Sequence, residues 1–487
     1  MGKSKESQLN WKSTKRERAW YFLGRVGNVN LQAMVPNLMN MFLIFNGVDL
    51  ALIATITLIV KIIDAADDMI FGFLIDKLDL KKTKLLRKIG GEGRYLPWLR
   101  CFMYFFPTAV LLFFLMPSSL SQMGKIVWFA VTYLLYDVSL TLVDVPFQSS
   151  LMTFTDVPEE RNHMITVGYV VVTLVVIVAG AVQNVLISES VGMSIRNMAL
   201  LCVIIFSAMM IPMPFKVKER NTEVKNGENN DEYTLREMFR AIKGNKPFLM
   251  ITLAGLFPGI LATNAALTLF VSYYLYGSST AMVIPTLIAT FLMVAAEAVS
   301  PKFTRKLGNK RTIIVMMMIA CVCSFATFFI GYKHFPVVVV SLLLSSFTGG
   351  VVLMVRGYIG LQCIDYGKYM IGRDTTGIFN AIYTLVGKVT GSIASSLGLI
   401  LLGVFGWISV NAESFADLAA QNVLQPTSAL NGLWIINTLI PAVGTLLGLI
   451  CMRFYTLEDE DARLMGMCTA GEISREECEN RLSRKYN

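Results

Sequence analysis

Apolar residues in this chain come in runs of about 20 residues, the length that crosses a bilayer as a helix, with short polar connectors between them. Twelve such runs lie near 20–45, 50–75, 96–116, 125–150, 164–188, 195–214, 247–276, 280–302, 311–332, 336–358, 374–404 and 430–454. Each predicts a membrane-spanning helix, so the fold class read from the pattern is an all-α membrane protein with twelve transmembrane helices. The longest inner polar stretch, Lys216 to Lys246, separates six runs from six. The organisation read from this is a tail at 1–19, a six-helix bundle at 20–214, a linker at 215–246, a second bundle at 247–454 and a charged tail at 455–487. A short amphipathic helix is expected within the linker, around Leu235–Ile242.

An internal repeat supports two pseudo-symmetric halves. Gly72–Thr83 matches Pro301–Thr312 at a constant offset, pairing Lys77 with Lys306, Leu78 with Leu307, Lys81 with Lys310 and Thr83 with Thr312. Both segments follow the second span of their half, and the same offset carries Asp68 onto Glu297. Inverted or repeated halves are a common way to build carriers.

Composition agrees. Over 487 residues, 54% are hydrophobic and 16% charged, outside the usual soluble range. The net charge of +9 does not point to nucleic acid, because the basic residues sit in the connectors. They favour one side: Lys3, Lys5, Lys12, Lys15, Arg16 and Arg18 in the N-terminal tail, then seven Lys or Arg between Lys77 and Arg94. The positive-inside bias therefore puts both termini in the cytoplasm, in a multi-pass cell-membrane protein. The eight cysteines are scattered without a Cys-x-x-Cys pair, which gives no zinc or redox motif. The N-terminus lacks a cleavable leader pattern, so the first apolar run reads as a retained span.

The chemistry is inside the spans. In the second run, Asp64, Asp67 and Asp68 stand at i, i+3 and i+4, one helix face. In the fourth, Asp137, Thr141 and Asp144 form a stripe at i, i+4 and i+7. At ~1.5 Å per residue, Asp64 and Asp68 lie ~21–27 Å from the outer end of their span and Asp144 ~28 Å from that of its own, similar depths. Carboxylates at that depth face water or a partner, and a cluster of them either binds a monovalent cation or shares protons. Lys61, one turn before Asp64, is a structural partner for one acid but not for four. Lys388, in the eleventh span among glycines, is a second intramembrane cation. Arg25 and Arg356 lie nearer the span ends and read as anchors or loop partners. The five polar amides from Asn28 to Asn40 line a cavity or bond between helices. Trp20, Trp98, Trp128 and Trp407 read as interface anchors, and Tyr136, Tyr169 and Tyr383 as deeper rings, candidates for sugar stacking. Beyond Phe454 the chain reads as a solvated tail, with a capping box opening at Ser474; the other reading is contact with a cytoplasmic regulatory protein.

These residues resemble the glycoside–pentoside–hexuronide:cation symporters of the major facilitator superfamily, of which the melibiose permease is a familiar member. The resemblance covers most of the chain and rests on Tyr21-Phe-Leu-Gly-Arg-Val-Gly27, Asp64-Ala-x-x-Asp68, Gly93-Arg-Tyr-Leu-Pro-Trp98, Thr141-Leu-Val-Asp-Val-Pro-Phe147, Asp365-Tyr-Gly-Lys-Tyr369 and Lys388. It implies the major facilitator fold, alternating access, and sugar uptake driven by Na+, H+ or Li+. It assigns the coupling cation to Asp64 and Asp68, helped by Asp67 and Thr141; Asp64 and Asp68 would be the Na+ ligands if sodium is used. It assigns sugar contact to Asp144 and a coupling role to Lys388. The family usually has Asn at the position of Asp67, and the extra acid favours protons or a tighter cage. The sugar-site positions depart further: the family's acid on span one falls on Val29, its arginine on span five on Tyr169, and its tryptophan after Pro-Phe on Gln148. Asp137 is the expected replacement acid, so the substrate set is Asp144, Asp137, Gln148 and Tyr169.

The expected function is a secondary active carrier, with no cofactor beyond the coupling ion and with a sugar, a monovalent cation and the bilayer as partners. The alternative within transport is an uncoupled or lysolipid-type carrier. A membrane-embedded enzyme is disfavoured because no nucleophile–base pair or His-rich cluster accompanies the acids.

Overall fold

The computed structural model describes residues 11–61, 63, 93–220, 244–263, 267–371, 376–484 and 486. Its named elements are helical. In chain order they are α1 (Lys15–Phe45), α2 (Leu50–Lys61), α3 (Leu96–Phe102), α4 (Phe105–Phe114), α5 (Gln122–Phe154), α6 (Pro158–Leu186), α7 (Ile195–Met210) and α8 (Met213–Lys216). There follow α9 (Lys246–Ile260), α10 (Thr268–Tyr276), α11 (Val283–Leu307), α12 (Asn309–Ile330), α13 (Phe335–Ile371) and α14 (Thr376–Val404). The last are α15 (Phe415–Gln421), α16 (Thr427–Trp434), α17 (Ile440–Arg453), α18 (Asp459–Thr469) and α19 (Arg475–Arg481). Among the described residues, nine helices are long and apolar enough to cross a membrane. The other three expected span positions are held by α1, α2 and the pair α9–α10.

Local sequence sets the helix starts. Thr14 and Glu17 form a capping box at α1. Ser121, Ser194, Asn245, Ser414 and Ser474 each accept an amide of the first turn that follows them. Between α16 and α17 a π-turn, Ile435–Leu439, interrupts the α pattern, and the Thr263 hydroxyl bonds the Ile436 carbonyl at 2.8 Å.

Internal contacts divide the chain into two units: Met1–Asn229 with Ile408–Leu424, and Asn230–Trp407 with Gln425–Asn487. In the first, α1 packs on α6 and α7, and α4 on α5. A buried aromatic core of Phe106, Phe113, Phe129, Tyr133 and Tyr136 fills the space between them. Tyr136 is thus a core residue, its hydroxyl donating to the Gln32 carbonyl at 2.8 Å, and not a ring open to sugar. Along α6 the opposite situation holds: Val170, Leu174, Val178, Val182 and Val185 are all exposed, an apolar face for lipid. In the second unit α13 packs on α11 and α12, and α9 on α17.

Three expectations change. The segment Ile408–Leu424, expected to belong with the second bundle, packs in the first unit. Ala412 donates to the Phe45 carbonyl at 2.9 Å, Phe415 to Ile187 at 3.1 Å, and Phe415 is fully buried beside Phe45. Trp98 and Trp407 are buried rather than interfacial. Trp98 stacks on Phe102, and Trp407 meets Phe270 and Tyr274 edge-on.

The tail, expected to be solvated, is docked instead. Tyr455, Leu457, Ala462, Leu464, Met465 and Cys478 join a buried cluster with Ile359, Cys363 and Tyr366 of α13. The charged residues that suggested solvation are spent as clamps. Asp459 accepts from the Asn309 amide (2.7 Å) and from Gln362 (3.0 Å), and Glu458 pairs with Lys310. Asp461 accepts from Ser483 and the Tyr486 hydroxyl. A matching clamp stands in the first unit, where the Glu219 carboxylate accepts the amides of Arg94, Tyr95 and Leu96 at the start of α3 and the Thr153 hydroxyl. Each clamp comes from just beyond the last span of its unit. The start of the linker is therefore anchored, with Arg220 also paired to Glu17 at 2.7 Å. Leu235–Ile242 and the repeat copy Gly72–Thr83 lie outside the described residues.

Candidate functional site

Two glycines on α1 build the site by letting helices approach. A Cβ at Gly27 would overlap the Phe206 carbonyl on α7, and one at Gly24 would fall 2.6 Å from Met213 Cβ. With that face of α1 flush against α7 and α8, Arg25 and Asn28 reach α5. Arg25 Nη1 donates to Asp144 Oδ1 at 2.8 Å, and Asn28 Nδ2 donates to the same oxygen at 2.8 Å. One turn on, Gln148 Nε2 donates to Asp144 Oδ2 at 2.6 Å. The carboxylate therefore has three donors for about four acceptor positions. The Arg25 guanidinium also lies 5.7 Å from the centre of the buried Phe147 ring.

This cluster borders a 550 Å³ cavity lined by Arg25, Tyr21, Val29, Gln148 and, from α6, Tyr169 and Thr173. That is within the range of small-molecule sites. Gln148 and Tyr169, expected at the substrate site, come together here; Asp144 adjoins the cavity through Arg25 and Gln148. Tyr169 is highly exposed. Val29 lines the wall, so the missing acid of span one leaves an apolar patch. Arg25 is not a loop anchor: it is the ionic partner of Asp144.

Asp137 and Thr141 stand two turns and one turn before Asp144 on α5, both buried, and Thr141 Oγ1 donates to the Asp137 carbonyl at 3.3 Å. Asp137 is not among the residues that line the cavity. Lys61 reaches the Tyr133 ring, 4.9 Å from its centre. Lys388 lies on an exposed face of α14. Asp64, Asp67 and Asp68 lie outside the described residues. Glu297, the acidic echo, is half-buried in α11.

The pairing of Arg25 and Asn28 with Asp144 was missed in the sequence, although a signal exists for Arg25. Arg25 lies about 7–15 Å into α1 from its N-terminal end, and Asp144 about as far from the other end of α5, so oppositely charged side chains share one depth.

A family model described as MFS/sugar transport protein matches residues 20–459. The chain belongs to this family. The expected major facilitator fold and the resemblance to glycoside–pentoside–hexuronide carriers are borne out by its relatives. A "Glucuronide carrier protein homolog" of Escherichia coli (strain K12) is 24% identical over 470 residues, covering 93% of this chain and 94% of that protein. An "Isoprimeverose transporter" of Lactiplantibacillus pentosus is 22% identical over 429 residues, 86% of this chain and 84% of that one. Among solved structures, a bacterial homologue of the lysosomal transporter Spinster aligns with TM-score 0.62 at 12% identity, over 91% of this chain and 97% of its own. The nucleoside transporter NupG aligns with TM-score 0.59 at 12% identity, over 91% and 100%. These two share the fold. This member of the MFS/sugar transport family is a multi-pass membrane carrier, not an enzyme.

Proposed function

We propose that the protein is a secondary active carrier coupling a Na+ or H+ gradient to uptake of a glycoside or related sugar. The observation that carries this reading is the Arg25–Asp144–Asn28–Gln148 cluster beside a 550 Å³ cavity in a chain of the sugar-transport family. Such a cluster offers fixed donors to sugar hydroxyls, with Tyr169 as a ring for stacking and Asp137 as a further acceptor. The names of two relatives support the class: the glucuronide carrier homologue, and a "Putative glycoside/cation symporter" of E. coli (strain K12) that is 22% identical over 432 residues.

In this reading Asp64, Asp67 and Asp68 bind the coupling cation with Thr141, and Lys388 links that site to the transport cycle. The two ligands are bound reciprocally: whatever factor the cation adds to sugar affinity, the sugar adds to cation affinity. Both termini face the cytoplasm of the cell membrane. The test is uptake by proteoliposomes of glycosides, pentosides and hexuronides under imposed Na+ and proton gradients. Asp68→Asn should abolish uphill accumulation. Undiminished accumulation in that variant would sink the cation role, and counterflow indifferent to either cation would favour an uncoupled carrier.

A further inference from the structure

A second cavity, of 530 Å³, lies wholly within the second unit. Its walls are stripes along helices, from Ile313 to Thr327 on α12 and from Val338 to Arg356 on α13. From Val338 to Arg356 α13 rises roughly 27 Å, so the lining runs along most of a membrane span. That length suits an extended hydrocarbon chain lying along the helices.

One end of this channel is charged. Arg356 Nε is buried without a hydrogen-bond partner, and the guanidinium stacks 5.2 Å from the Tyr383 ring centre. Among the described residues no carboxylate pairs with it. Gly255 of α9 makes its seat, since a Cβ there would overlap the guanidinium. A seated, unpaired cation in a low-dielectric setting calls for an anion. Beside it the walls are the apolar Ile251, Ala254, Ile313 and Val352, and Ser324, Ser341, Ser345 and Asn437 line the cavity only toward its other end. Further along, Thr327, Thr438 and Thr445 donate to carbonyls of their own helices, as hydroxyls in spans do. Arg356 stands about 32 Å along α13 from Phe335, against a hydrocarbon core ~30 Å thick, which is the level of lipid headgroups.

We propose that this channel holds one acyl chain of an anionic phospholipid of the surrounding bilayer, with its phosphate on Arg356. The site is for a resident lipid, separate from the cavity beside Asp144.

The experiment uses the full chain in nanodiscs doped with either phosphatidylglycerol or phosphatidylcholine carrying a photoreactive diazirine in one acyl chain. Labelled peptides are then mapped by mass spectrometry. The expected result is labelling on α9, α12 or α13, about tenfold stronger for the anionic lipid, because the choline cation of phosphatidylcholine offsets the phosphate charge that faces Arg356. Arg356→Gln should fall to the phosphatidylcholine level and Arg356→Lys should retain most of the preference, which separates charge from misfolding. Equal labelling by the two lipids would overturn the proposal, as would labelling unchanged in Arg356→Gln. So would displacement of the label by glucuronate, which would make the channel a sugar site, or by palmitate at lower concentration than phosphatidylglycerol.

Discussion

Arg25 of α1 and Asp144 of α5, 119 residues apart in sequence, meet at 2.8 Å, and Asp144 takes two further donors from Asn28 and Gln148. Their side chains are 24% and 14% exposed, so the pair is largely withdrawn from solvent. Removing one member of such a pair leaves an uncompensated charge, while removing both does not. Arg25→Gln should therefore destabilise the protein by roughly 2–4 kcal/mol, and Arg25→Gln with Asp144→Asn should recover about 1–3 kcal/mol of that. Thermal unfolding of the four members of the cycle in detergent checks this. Additive losses would show that the pair carries no coupling.

If Asp137 replaces the acid missing at Val29, Asp137→Ala should weaken sugar binding about tenfold or more and leave cation affinity unchanged. Equilibrium binding of sugar and of cation to the purified variant measures both. Unchanged sugar affinity would remove Asp137 from the substrate site.

Gly27 has no room for a side chain against α7. Gly27→Ala should cost about 1–3 kcal/mol by overpacking and push α1 away from α7, lengthening the Arg25–Asp144 contact. The check is melting temperature together with transport rate. A stable, fully active variant would show that α1 shifts freely.

The Glu219 carboxylate closes the start of α3 by accepting three consecutive amides. Glu219→Ala leaves those amides without this acceptor, while the Thr153 hydroxyl keeps the Ser150 carbonyl at 3.0 Å, at a cost of about 1–3 kcal/mol. Hydrogen exchange should speed up at residues 94–96 and stay unchanged in α12, whose own clamp is Asp459.

The docked tail should be acid-sensitive. Burial alone would raise the Asp461 carboxyl, but the Ser483 hydroxyl and amide, the Tyr486 hydroxyl and the Arg484 charge outweigh it and hold the group below its usual range. The unfolded tail then binds the proton more readily. Docking is at full strength above the ordinary carboxylate pKa and is lost as pH falls through the depressed native value. Protease cleavage within residues 459–486 should accelerate on that acid side, and Asp461→Asn should be readily cleaved already at neutral pH.

Hydrophobic periodicity by itself determined the spans, because a helix is the structure that satisfies its own backbone in lipid and its length is set by bilayer thickness. The same local logic located Asp144, since spacing on a helix fixes which side chains share a face, while Gln148 and Tyr169 came from the family resemblance. Tertiary structure decided who answers whom. Nothing local to Arg25 says that it faces Asp144: that depends on Gly24 and Gly27 letting α1 lie flush on its neighbours. Likewise the tail's acids look solvated until Asp459 meets the Asn309 amide, 150 residues away. Tyr136 looks like a deep ring until the aromatic core closes around it. Burial and pairing are properties of packed helices, and sequence reports only the face that each helix offers.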